Sequence, residues 1–229
     1  MFRKNLVYMP PYHLIDPTRL VVELSYTLIV VFLCFTIYFR TREIYELTKY
    51  EGIKYFRITF LFFGLAFLFR FISVFVMVMG MTFDIEISRY LFRIFPLVFN
   101  GYFSTMAILS LTYSMIWKEL QIKHMLIVSN AIAIIISGIA FFSRSHVILI
   151  EAQAVLLIFT VIMALYVYSR SKKISQLFIL YVLFFLFWIV NLLTLGPRRF
   201  IPFEIQTLFQ IISIIVIGII YHKVARWTK

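Results

Sequence analysis

The chain is 229 residues long, 63% apolar and only 14% charged, with a mean hydropathy of +0.98 and a formal charge of +12. Soluble domains carry roughly 45–50% apolar and about 25% charged residues, so this composition excludes an ordinary soluble enzyme, a nucleic-acid module and a disordered chain. What remains is an all-α integral membrane protein, because only lipid accepts this much apolar surface.

Residues 1–19 hold three prolines and no apolar core, so the first apolar run reads as a retained span rather than a cleaved signal. Seven runs long enough to span follow, at about 20–39, 56–79, 90–117, 122–142, 147–168, 174–195 and 203–221. Together they leave no room for a soluble domain. The first run opens on Glu23 and contains Cys34, the one cysteine, so no intramolecular disulfide is possible.

The 40–57 connection mixes both charge signs with aromatics. Glu43, Glu46 and Lys49, then Glu51 and Lys54, fall at helical i,i+3 spacing, and Gly52 is expected to separate two helical extensions. This connection is either a helical hairpin with a solvated basic face or a docking surface for a signalling partner.

The second run carries Arg70 near its middle. In the third, Arg93, Asn100, Ser104, Ala107 and Ser114 recur at steps that keep them on one helix face, and Pro96 is expected to free a carbonyl and kink the helix. Lys118, Glu119 and Lys123 mark the next break. The fourth run has a stripe of small residues and an amide, Asn130, Ala133, Ser137 and Ala140, suited to close helix packing. The fifth carries Glu151 and Gln153, and the sixth carries Tyr181, Trp188 and Asn191 on one face. Gly196-Pro197 is a stop before the seventh, where Gln206, Gln210, Ser213 and Tyr221 share a face behind Glu204.

Orientation follows from the basic residues in the connections. Thirteen Lys/Arg fall on the side of the 40–57 connection and the C-terminus, and eight on the other, which predicts the N-terminus outside and the C-terminus inside the cell membrane. The +12 charge is thus a topology signal and a lipid-facing collar, not a nucleic-acid footprint. A faint internal echo, Glu23–Tyr38–Arg40 against Glu151–Tyr166–Arg170, suggests a 3+1+3 pseudo-repeat with the fourth helix as linker. The sugar-transporting and PQ-loop families share that plan, but their Pro-Gln signature is absent. The seven-span, N-out plan also resembles seven-helix receptors and the membrane sensor regions that precede bacterial signalling domains. That resemblance is one of architecture alone, since neither D-R-Y nor N-P-x-x-Y occurs.

The chemistry available inside the spans is narrow. No lysine stands in the middle of the last run to hold retinal. His13, His124, His146 and His222 all fall at connections or span ends, where they suit neither haem nor an intramembrane metal. No His or Lys lies at the depth of the intramembrane serines to activate one. The chain is expected to be no enzyme and to need no cofactor or metal.

Charged groups at membrane depth are costly and point to function or to buried pairing. Glu23, Arg70, Arg93, Asn100, Glu151, Gln153, Asn191, Glu204, Gln206 and Gln210 all fall toward the outer leaflet, which predicts an outward-opening polar cavity above an apolar plug. The candidate ligand-binding residues are Arg70, Arg93, Asn100, Asn191, Gln206 and Gln210. Glu23, Glu151 and Arg70 are candidates for ion pairing, with snorkelling to the interface as the alternative for Glu23, Glu151 and Glu204. Arginines suit a small anionic or carbonyl-bearing ligand or a lipid headgroup. The leading expectation is a sensor or receptor-like protein that signals through a separate partner. A small transporter or channel, and a structural subunit that docks another membrane protein, are the alternatives.

Overall fold

A computed structural model describes residues 17–83, 89–119, 124–143, 146–171, 176–195 and 202–227, and every regular element in them is a helix. The helices are α1 (Pro17–Thr48), α2 (Glu51–Thr82), α3 (Arg89–Ile116), α4 (Met125–Ser143), α5 (His146–Ser171), α6 (Gln176–Leu195) and α7 (Phe203–Trp227). All but α6 are long and apolar enough to cross a membrane, and α6 contributes the shorter apolar stretch Leu177–Leu193. The protein is a multi-pass helical membrane protein. The Gly196-Pro197 stop, the side chain of Arg93 and several of the basic residues used for orientation lie outside the described residues.

The first two helices are longer than their apolar runs. Each has 32 residues, about 48 Å at 1.5 Å per residue, against a hydrocarbon core of roughly 30 Å. Pro17 opens α1, where its fixed φ and missing N–H cost nothing. Starting there places Glu23 nearly two turns inside α1 instead of at its mouth.

At the other end, α1 and α2 run into a tight reversal over Lys49 and Tyr50. Gly52 does not separate two helical extensions as expected. It lies in the first turn of α2, and the break falls at Lys49, which takes the left-handed conformation with φ of 51°. Gly52 answers a different need. A Cβ there would sit 2.6 Å from Tyr50 Cε1, 2.8 Å from Trp117 Nε1 and 3.1 Å from the Ser114 carbonyl oxygen. The missing side chain lets the start of α2 lie against the end of α3.

The helices pack around α3, which lies against α2, α4 and α5 and is the most buried of the spans. Its small and hydroxyl residues, among them Ser104, Ala107, Ser110 and Ser114, allow that close approach. On the other side, α1 packs against α2 and α7, and α7 against α6. The seam between α5 and α6 is much looser than the α1–α2 seam, so the two helix triplets are not packed alike. The α2 and α6 backbones stand further apart and are bridged by rings: Phe60 meets Phe184 edge-on with centroids 5.2 Å apart, and Phe63 meets Trp188 at 4.8 Å. With Phe56, Phe67 and Phe187 these rings form the apolar plug of the bundle. On α4 the buried stripe is Ser129, Ala133, Ser137 and Ala140. Asn130 lies to one side and accepts a hydrogen bond from the Tyr102 hydroxyl at 3.1 Å.

Candidate functional site: a polar core around Arg70

Three of the six proposed ligand residues come together. Arg70 on α2, Asn100 on α3 and Asn191 on α6 line one cavity with Ser104, Gln153 and Trp188. Phe63, Ala66 and Phe67 floor it from α2. The cavity lies in the half of the bundle that holds the start of α1, above the aromatic plug. It leaves about 20 Å³ open to the centre of a water molecule, room for a water and not for a larger ligand.

Arg70 is anchored by Glu23. Its Nε and Nη2 donate to the same carboxylate oxygen at 3.2 and 3.1 Å, and the two side chains are only 13% and 12% exposed. Of the three ion-pair candidates, Glu23 and Arg70 pair: the depth of Glu23 in α1 puts it within reach of Arg70, and the snorkelling alternative does not apply to it. Glu151 does not join them and is exposed on α5, as Glu204 is on α7. A fork of five N–H donors that spends two on one oxygen keeps Nη1 available, and that nitrogen makes no hydrogen bond to the described residues. The guanidinium also lies 5.9 Å from the Phe67 ring centroid, in cation–π contact.

The remaining walls are held by two hydrogen-bonded groups. On one side the Gln153 amide donates to the Ser104 hydroxyl, tying α5 to α3. On the other, the Tyr26 hydroxyl donates to Asn191 Oδ1 at 2.5 Å and lies 3.0 Å from Ser213 Oγ, while Asn191 Nδ2 donates to Ser213 Oγ at 3.0 Å and to the Phe187 carbonyl at 2.8 Å. That group ties α1, α6 and α7. Tyr26 was missed in the sequence because a single tyrosine among 14, in an apolar run, gives no signal of its own.

One donor in the wall is left over. Trp188 is 3% exposed and lines the cavity, yet its Nε1–H has no hydrogen-bond partner among the described residues. A buried indole N–H normally finds an acceptor. Gln210 is also buried on α7, with Oε1 unpartnered among the described residues, but it does not line the cavity. Gln206 is partly exposed at the outer end of α7.

The opposite end of the bundle carries a basic collar. Arg170 donates to Glu119 at 2.6 Å, Arg42 pairs with Glu46 and Lys54 with Glu51. Arg57 lies 4.2 Å from the Tyr38 ring centroid, and Lys118 approaches Tyr50 and Trp117. Beneath this collar the Ser114 hydroxyl donates to the Gly52 carbonyl at 2.6 Å and lies 2.7 Å from the Tyr181 hydroxyl, locking α2, α3 and α6 together.

No family model and no solved structure matches the chain. A protein of Archaeoglobus fulgidus, described as an uncharacterized protein, is 33% identical over 212 residues, covering 89% of this chain and 91% of its own length.

Proposed function

We propose that this chain, which belongs to the same family as that archaeal protein, is a seven-helix sensor of the cell membrane, with the polar core around Arg70 as its ligand site. The N-terminus faces outward, and the basic collar lies on the cytoplasmic side. One observation carries the reading: a buried cluster from α1, α2, α3, α5, α6 and α7 in which Arg70 and Trp188, the latter with its Nε1–H unpartnered among the described residues, line one cavity. Hydrogen bonds between helices serve packing when both partners are satisfied; donors left over in a shared cavity await an acceptor. The ligand is therefore small, anionic or carbonyl-bearing, and non-covalently held, with no catalytic step.

The cavity has room for only a water, so binding must open the bundle. A ligand that fits the open packing better than the closed one shifts the balance between them. The loose α5–α6 seam is where the least packing is lost. Output passes to a separate partner through the collar, where the α1–α2 hairpin presents its charged surface.

The test uses proteoliposomes and radiolabelled carboxylates of increasing chain length offered from outside. A sensor retains label on the protein without accumulating it in the lumen, and Arg70→Gln loses the retention. Lumenal accumulation that Arg70→Gln abolishes would make the protein a transporter. Absence of Arg70-dependent binding across the series would overturn the site.

A further inference from the structure

We infer that the ligand of this core is a single-chain lipid carrying an anionic acceptor head, a fatty-acid-like amphiphile, which enters sideways from the bilayer between α5 and α6. The inference rests on the proposed ligand site and adds the ligand's class and its route.

Four observations converge. An apolar groove of about 430 Å³ opens to lipid along the α5–α6 seam, lined by Ala154, Leu157, Val161, Ile189, Leu192 and Leu193 among others. Leu192 also lines the Arg70 cavity, so one side chain borders both spaces. On α5 the groove begins at Ala154, next to the cavity residue Gln153. On α6 it includes Leu192 and Leu193, next to Asn191. The seam itself is loosely packed, whereas the opposite wall of the cavity is closed by the tight α1–α2 pair.

The two spaces have complementary chemistry. The groove is lined by hydrocarbon alone, and the cavity at its head is lined by Arg70 and by Trp188, whose indole N–H has no partner among the described residues. A carboxylate supplies acceptors of the kind these two side chains take, and its alkyl chain matches the groove. The direction also fits. From Ala154 to Ile162 the groove descends α5 by eight residues, about 12 Å, toward the collar end. Its polar end is therefore nearer the outer surface and its apolar end nearer mid-membrane, the polarity of a lipid in the outer leaflet. A purely water-soluble anion would leave the groove unfilled, and an uncharged hydrocarbon would leave the donors unpaired.

The experiment uses the full chain in nanodiscs with Trp117→Phe and Trp227→Phe, so that Trp188 alone fluoresces. The probe is a long-chain fatty acid brominated near its carboxyl end, bromine being a contact quencher. The expected result is saturable quenching, reversed by the unbrominated acid and not by the matching alkane. Arg70→Gln raises the midpoint at least about tenfold, the worth of a charge-assisted hydrogen bond. Leu192→Phe, which narrows the passage without touching the ion pair, also raises it, so the idea stays testable should the Arg70 variant fold poorly. Quenching that grows in proportion to membrane bromine and ignores both substitutions would be ordinary lipid contact and would overturn the inference. Arg70-dependent binding of acetate without saturable quenching by the fatty acid would overturn the lateral route and leave the polar site standing. Absence of both would overturn the site as well.

Discussion

Removing either partner of the Glu23–Arg70 pair strands a charge where water barely reaches. Both side chains are about one-eighth exposed, and the bonds at 3.1 and 3.2 Å converge on a single oxygen. Breaking a buried pair from one side typically costs about 3–5 kcal/mol, while replacing both partners with neutral groups is often close to neutral. Glu23→Gln is expected to cost the most, because a guanidinium cannot shed its charge. Arg70→Met should cost about 3 kcal/mol, and the double variant should recover about 2 kcal/mol or more of the summed loss. Equilibrium unfolding in mixed micelles, followed by tryptophan fluorescence across the four proteins, measures this coupling. Single costs under about 0.5 kcal/mol that simply add would show that the pair is solvated and would refute the buried-core reasoning.

Other outcomes follow from the packing. Gly52→Ala forces a Cβ against Tyr50, Trp117 and the Ser114 carbonyl, and should lower stability by about 1–3 kcal/mol. Gly138→Ala meets nothing within 4 Å, so thermal melts of the two variants beside the parent should find it neutral or slightly stabilising while Gly52→Ala melts lower. Tyr26→Phe leaves Asn191 Oδ1 without its 2.5 Å donor and should cost about 1–3 kcal/mol by chemical denaturation. Hydrogen exchange should find amides facing the α5–α6 seam less protected than those between α2 and α3.

The helical membrane fold was legible because lipid demands long apolar runs and nothing else in the chain competes with that pattern. The polar core was legible in part. Arg70, Asn100 and Asn191 stand out because each is an expensive residue in an apolar run, and the half-membrane they share follows from counting along the helices. Which acid pairs with Arg70 was not legible, since Glu23 and Glu151 open their spans alike. Helix packing decides it by burying the first and exposing the second. Gln206 and Gln210 share the chemistry of the cavity residues but sit away from it, because helical register alone does not say which neighbour a face meets. Tyr26 and the Trp188 N–H, unpartnered among the described residues, were hidden for another reason: in a chain with 27 phenylalanines, an aromatic residue signals core before it signals a hydrogen bond. The Gly52 expectation failed because the residue's value lies in what touches it, Trp117 and Ser114, both more than sixty positions away.

On the proposed reading, an acceptor bound at Arg70 opens the bundle at the α5–α6 seam. Spin labels at Leu165→Cys and Val182→Cys, both on the lipid-facing surface, in a Cys34→Ser background, report the distance across that seam in nanodiscs. A long-chain fatty acid should lengthen or broaden the distance distribution, saturably, and Arg70→Gln should remove the response. A distribution unchanged by the fatty acid, or changed equally in the Arg70→Gln protein, would contradict it.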